Sequence, residues 1–244
     1  MINKKTVALL MLMPFVSYSG ENDFKDERMA MLAEMGLALP DSGIKLVPRS
    51  TFNLTEEETR IGMDEEEQMK SKGYVEEDNT RPMELINFKA HAKSEYAQYS
   101  GISQDKSTHL RREIKELKLG FKFTGVPKSL MTNSIGIVPQ GGFHEKGWSG
   151  AVQFFETKNV GICAYAEMNV SASHTAIQIA LEDADYTVND KLTLMKVRGN
   201  KASGYDYKIR WFDDIAFHEL ECANMNYSSQ LNQAVIDLAT QIDS

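Results

Sequence analysis

Cysteine is nearly absent from this 244-residue chain: Cys163 and Cys222 are the only two. They form no Cys-x-x-Cys motif, which argues against disulfide-exchange chemistry, and they stand at no zinc-finger spacing with histidine. Proline is scarce, six residues in all. There is no low-complexity tract and no internal repeat. Past the N-terminal stretch, no run approaches the roughly 20 apolar residues needed to span a bilayer. Gly141-Gly142 stands without a GxGxxG or Walker pattern, so it makes no claim on phosphate. Positive charge is also short, 27 Lys and Arg against 35 Asp and Glu. That balance argues against non-specific nucleic-acid binding, which depends on neutralising phosphates.

What the chain does have begins at its N-terminus. Lys4 and Lys5 precede the uncharged apolar run Thr6–Val16, and Pro14 breaks that run before Ser17-Tyr18-Ser19. This is the three-part pattern of a cleavable signal peptide over residues 1–19, with a cut before Gly20. The expectation is an exported protein, periplasmic or extracellular, with no transmembrane segment in the mature chain and no cysteine near the cut for a lipid anchor. Removing residues 1–19 moves the formal charge from −8 to −10. In an oxidising compartment the two cysteines are expected to join as one disulfide.

Charge divides the rest. Residues 20–80 carry 16 acidic and 7 basic residues, 81–130 carry 5 and 10, and 131–244 carry 14 and 8. Asn22 can cap a helix holding Phe24, Met31, Leu32 and Met35, and a Pro/Gly-marked linker runs from Pro40 to Pro48. Thr55 with Glu58 forms a capping box for a very acidic helix through about Lys72. Pro82, Leu85, Ile86, Phe88, Tyr96 and Tyr99 suggest a helix from Arg81. Ser107 with Leu110, Ile114 and Leu117 suggests another to Lys118. From about residue 121 the period becomes strand-like, with turn-rich segments at Pro139–Gly150 and Glu182–Asp190. Tyr205, Tyr207, Ile209 and Trp211 alternate with Asp206, Lys208 and Arg210, and Asp213-Asp214 turns that strand into Ile215–Ala223. Ser228 or Ser229 caps a last helix with Leu231, Val235, Leu238 and Ile242 on one stripe. The expected fold class is α+β: a helical N-terminal half (20–80 acidic and partly irregular, 81–120 basic), then a mainly antiparallel sheet with a C-terminal amphipathic helix over 121–244.

Each candidate for chemistry has a plainer reading. His218-Glu219 begins an HExxH-like pattern, but Cys222 stands where the second histidine belongs, and strand geometry puts Glu219 on the other face. His91, His109, His144, His174 and His218 show no metal-ligand spacing. Gly147-Trp148-Ser149-Gly150 lacks the GxSxG spacing of a nucleophile elbow. Asp183, Asp185, Asn189 and Asp190 lack the glycine and final glutamate of a calcium loop. The row Tyr205, Tyr207 and Trp211, with Trp148, is the candidate interaction surface, set against its use as the inward face of the sheet. No catalytic residue, cofactor or metal site is assigned. The expected function is that of an exported, non-enzymatic interaction protein with a protein partner. An accessory subunit of an envelope assembly such as a secretion apparatus fits that description. A secreted hydrolase with a dispersed active site is the alternative.

Overall fold

The computed structural model describes residues 43–91, 110–171, 176–184, 186–213 and 215–244. The signal-peptide segment, the helix expected after Asn22, and the positions of Tyr96, Tyr99, His109 and His174 lie outside them. Ten strands and three helices are present: β1 (Gly43–Val47), α1 (Glu56–Lys72), β2 (Val75–Glu76), α2 (Arg81–His91), β3 (Asn133–His144), β4 (Gly147–Thr157), β5 (Gly161–Asn169), β6 (Ala176–Ala180), β7 (Tyr186–Val188), β8 (Lys191–Asn200), β9 (Gly204–Phe212), β10 (Ala216–Asn224) and α3 (Ser229–Ile242).

An eight-stranded sheet runs in the order β2-β8-β9-β10-β5-β4-β3, with β7 against β8. Two meanders, β3-β4-β5 and β8-β9-β10, meet through their last strands, β5 and β10. Every pairing is antiparallel except that of β2 with β8. β1 and β6 form a separate parallel pair.

Both faces of the sheet are covered. One carries Tyr165, Tyr207, Ile209, Trp211 and Leu220, over which α3 lays Val235, Leu238, Ala239 and Ile242. Ser228 caps α3 by accepting from Leu231 N–H, and Tyr207 Oη donates to Asn226 O just ahead of it. The other face carries Val152, Phe154, Ile162, Ala164 and Ala166, packed under Leu85 and Phe88 of α2. Cys163 and Cys222 are cross-strand partners on β5 and β10 and are joined as a buried disulfide. Among the described residues no helix is long and apolar enough to cross a membrane.

The expected helical N-terminal half is overturned: the described residues are mostly sheet. The supposed linker contains β1, whose Gly43–Val47 pairs with Ala176–Ala180. The helix expected through Lys118 is instead an extended strap with a single 3-10 turn at Ile114–Glu116. Leu110, Ile114 and Leu117 have helical spacing, but Arg111 exchanges both backbone hydrogen bonds with Ile137 on the outer edge of β3. Covering an open strand edge outweighs one short helical stripe. The turn-rich segment Pro139–Gly150 is mostly the β3-β4 hairpin. Its Pro139, Gly141 and Gly142 sit on the edge strand β3, beside a register shift between Gln140 and Phe143, where a missing N–H or side chain is tolerated.

Candidate functional site

Strand periodicity brings the polar side chains of the α3-covered face into one row. Trp211, His218 and Glu167 are successive cross-strand partners on β9, β10 and β5, and Tyr165 shares their face two residues before Glu167. The tight turn after β9 supplies Asp213, whose Oδ1 accepts from the N–H groups of Ile215 and Ala216. Its Oδ2 lies 3.2 Å from His218 Nε2. His218 Nδ1 lies 2.8 Å from Tyr165 Oη, which is 3.3 Å from Glu167 Oε2. Glu167 also accepts from Thr124 N–H at 2.8 Å. The Trp211 and Tyr165 rings lie nearly parallel to the imidazole, at 8° and 14°. The result is a chain of hydrogen-bonding groups, Asp213–His218–Tyr165–Glu167, that runs from a half-exposed turn into the buried core.

The chain has a definite proton economy. The Tyr165 hydroxyl donates to Glu167 Oε2, while the direction of its shorter contact with His218 Nδ1 is set by the imidazole's tautomer. Burial raises the Glu167 carboxyl above its usual range against the pull of Thr124, His218 and Tyr165. Burial also raises Tyr165, with the nearby Glu167 carboxylate acting the same way. At Asp213 burial acts upward, but the His218 hydrogen bond and the two turn N–H groups outweigh it, and the carboxylate is held low. Trp211 Nε1 and Lys191 Nζ both donate to Asp243 Oδ1, at 2.8 and 2.5 Å, and tie the end of α3 to the same corner.

The opposite face holds a charge network beneath the start of α2. Arg81 donates to both oxygens of Glu221, Lys208 Nζ lies 3.1 Å from Glu221, and Asp206 lies 3.9 Å from Lys208. Asp206 Oδ1 is buried without a hydrogen-bond partner among the described residues. Further toward the β8 edge, Glu65 of α1 binds Lys196 and Arg198, and Arg198 reaches Glu77.

Tyr205, Tyr207 and Trp211 are at most 3% exposed and belong to the core, so the interaction surface expected of them is not available to a partner. Trp148 is not with them; it sits half-buried at the β3-β4 hairpin against Phe143. Ser149 is buried and accepts from Gly142 N–H, a turn-holding contact. Asp183 pairs with Arg49, and Asn189 bonds Thr240 O and Asp243. Among the described residues no three His, Cys, Asp or Glu side chains converge to hold a metal ion. Sequence reasoning passed over Tyr165, Glu167 and Glu221. The available signal was Glu167 itself, an acid alone inside the apolar run Ile162–Val170. No family model, curated protein or solved structure matches the chain.

Proposed function

We propose that this is an exported, non-enzymatic interaction protein of the cell envelope, an accessory subunit of a larger assembly such as a secretion apparatus. The observation that carries the reading is α1: a well-capped helix of 17 residues with no buried side chain. Such a helix, held to β8 by the ion pairs of Glu65 and burying no side chain, leaves most of its surface presented for contact. Ile61 and Met63 are its exposed apolar positions, and Leu54 is exposed just before it. The groups with chemical capacity described above are, by contrast, enclosed: Tyr165, Glu167, His218, Asp206 and Glu221 are all buried. The disulfide supports passage to an oxidising compartment.

The test is photo-crosslinking in the producing cells from probes placed at Glu57 and Met63 of the full chain. The expected outcome is a discrete adduct with an envelope protein from one or both positions. A folded, exported chain that gives no adduct from either position overturns the reading.

One observation favours the hydrolase alternative. His218 stands between an acid and a hydroxyl, the order of groups in a base-activated nucleophile. That reading requires a substrate to reach Tyr165, which is 1% exposed.

A further inference from the structure

The two ends of the large sheet carry opposite charge and the same kind of exposed apolar anchor. At the β8 end, α1 holds seven acidic residues against three basic ones. Glu65 is taken up by Lys196 and Arg198 of β8, and Glu66 by Lys70 and Arg49. Glu56, Glu57, Asp64 and Glu67 remain exposed, together with Met63 at 64%.

At the β3 end lies the strap of residues 110–128, with six basic residues against two acidic ones. It is fastened to the sheet by Arg111 against Ile137 and by Leu119 against Trp148. Arg112, Lys115, Lys118 and Lys122 are exposed. Beside them stand Ile114, 40% exposed, and Phe143, 56% exposed, with Lys118 over the Phe143 ring. The formal charges of the two segments are −4 and +4.

Strands about 4.8 Å apart place these ends roughly 25–30 Å from each other. That is about three Debye lengths at physiological salt, so the patches cannot neutralise one another within one molecule. They are, however, complementary between molecules. We propose that α1 of one copy docks on the strap and β3-β4 hairpin of the next, a head-to-tail contact between copies of this chain. Because the two surfaces lie at opposite ends of the sheet, a single such contact leaves one α1 and one strap unoccupied, and repetition in the same sense builds a ring or a filament. Opposed charges set the orientation and the rate of encounter, while Met63 and Phe143 supply apolar contact. This inference rests on the interaction reading and names its partner as a second copy.

The test is sedimentation velocity on the full exported chain over a concentration series at low salt and at about 1 M salt, where the Debye length is near 3 Å. Concentration-dependent oligomers at low salt that dissociate at high salt are expected. Two charge-reversed variants complete the experiment, Glu57→Lys with Glu67→Lys on α1, and Arg112→Glu with Lys115→Glu on the strap. Each alone should self-associate at least about tenfold more weakly, a difference of about 1.4 kcal/mol. An equimolar mixture should assemble again, because each variant restores the partner of the other's native surface. Circular dichroism establishes that both variants are folded. A native chain that stays monomeric at low salt overturns the proposal, as does assembly indifferent to salt or to either reversal. α1 adducts with a different protein and none between copies overturn head-to-tail docking while the interaction reading stands.

Discussion

The guanidinium of Arg81 grips the carboxylate of Glu221 with two hydrogen bonds, Nε to Oε1 at 2.9 Å and Nη2 to Oε2 at 2.6 Å. Glu221 belongs to the centre of the sheet and Arg81 is the first residue of α2, so the pair fastens that helix to the face it covers. Burial opposes ionisation of Glu221, but Arg81 and Lys208 prevail and bring its pKa down to about 2. Arg81→Met leaves a buried carboxylate with Lys208 as its remaining cation, and should destabilise the fold by about 3 kcal/mol. Arg81→Lys should recover only part of this, because an ammonium cannot make the fork. The native contribution is complete above the ordinary glutamate range and disappears as pH falls toward about 2. Urea unfolding of Arg81→Met should therefore show its largest deficit near neutral pH and a smaller one in acid. A deficit that does not depend on pH would refute the ionic account.

Asp206 has the opposite pH sign. Burial, then the Glu221 carboxylate, push its pKa up to about 8, from 3.8. The two acids face the same Lys208, and Glu221, which also has Arg81, takes the charge. Asp206 holds its proton more tightly folded than unfolded, so stability falls as pH rises from about 4 to about 8. Asp206→Asn keeps the shape and removes the titration. The variant should gain at least about 1 kcal/mol above pH 8, with a flatter stability profile between about pH 5 and 9. Unfolding midpoints across that range measure it, and parallel profiles for the two proteins would disprove it.

The chain from Asp213 to Glu167 gives a third expectation. Tyr165→Phe removes the hydroxyl that His218 and Glu167 share and leaves both with an unmet hydrogen-bonding position in the core. A loss of about 1–3 kcal/mol follows. Glu167→Gln should be far milder near neutral pH, because burial already favours the uncharged side chain and an amide can still meet the Tyr165 oxygen. Native stability should fall as pH rises through the raised Glu167 pKa, and Glu167→Gln should remove that share of the slope while the share due to Asp206 stays. Thermal denaturation of both variants at acid and neutral pH separates the effects. A Gln variant as damaged as the Phe variant would show that the carboxylate form is the one the core requires.

What was legible beforehand was local. Thr55 with Glu58 marks the start of α1, Ser228 marks α3, and the alternation from Tyr205 to Trp211 marks a strand with one aromatic and one charged side. Each is a short-range pattern whose physics needs no distant partner. What stayed hidden depends on the sheet's edges and on what lies above each face. Residues 110–118 become a strap because β3 offers an unpaired edge, and Pro139, Gly141 and Gly142 belong to a strand because an edge tolerates them. The charged side of β9 reads as solvent-facing, yet Asp206 is buried beneath α2. Tyr165, Glu167 and His218 converge through the register of β5 with β10, which no spacing along the chain encodes.

Gly73 decides how α1 joins the body. It closes the helix in the left-handed region, at φ 80°, with its N–H donating to Met69 O. A Cβ built there would lie 1.7 Å from Tyr227 Oη, with the ring carbon bearing that hydroxyl at 2.8 Å. Tyr227 is not free to retreat, because its ring packs against Tyr74, Tyr205 and Tyr207 at the foot of α3. Gly73→Ala therefore carries left-handed strain of about 1–2 kcal/mol together with displacement of Tyr227. The expected result is a loss of about 2–3 kcal/mol, drawing on α1 and the foot of α3 alike. Asn at the same position tolerates the backbone angle better but meets the same ring, so Gly73→Asn should help little unless Tyr227 is also made smaller. Hydrogen exchange supplies the reading: protection should fall in Glu56–Lys72 and in the first turn of Ser229–Ile242 together. Loss confined to α1 would mean that Tyr227 yields without cost, and that the junction is set by the glycine alone.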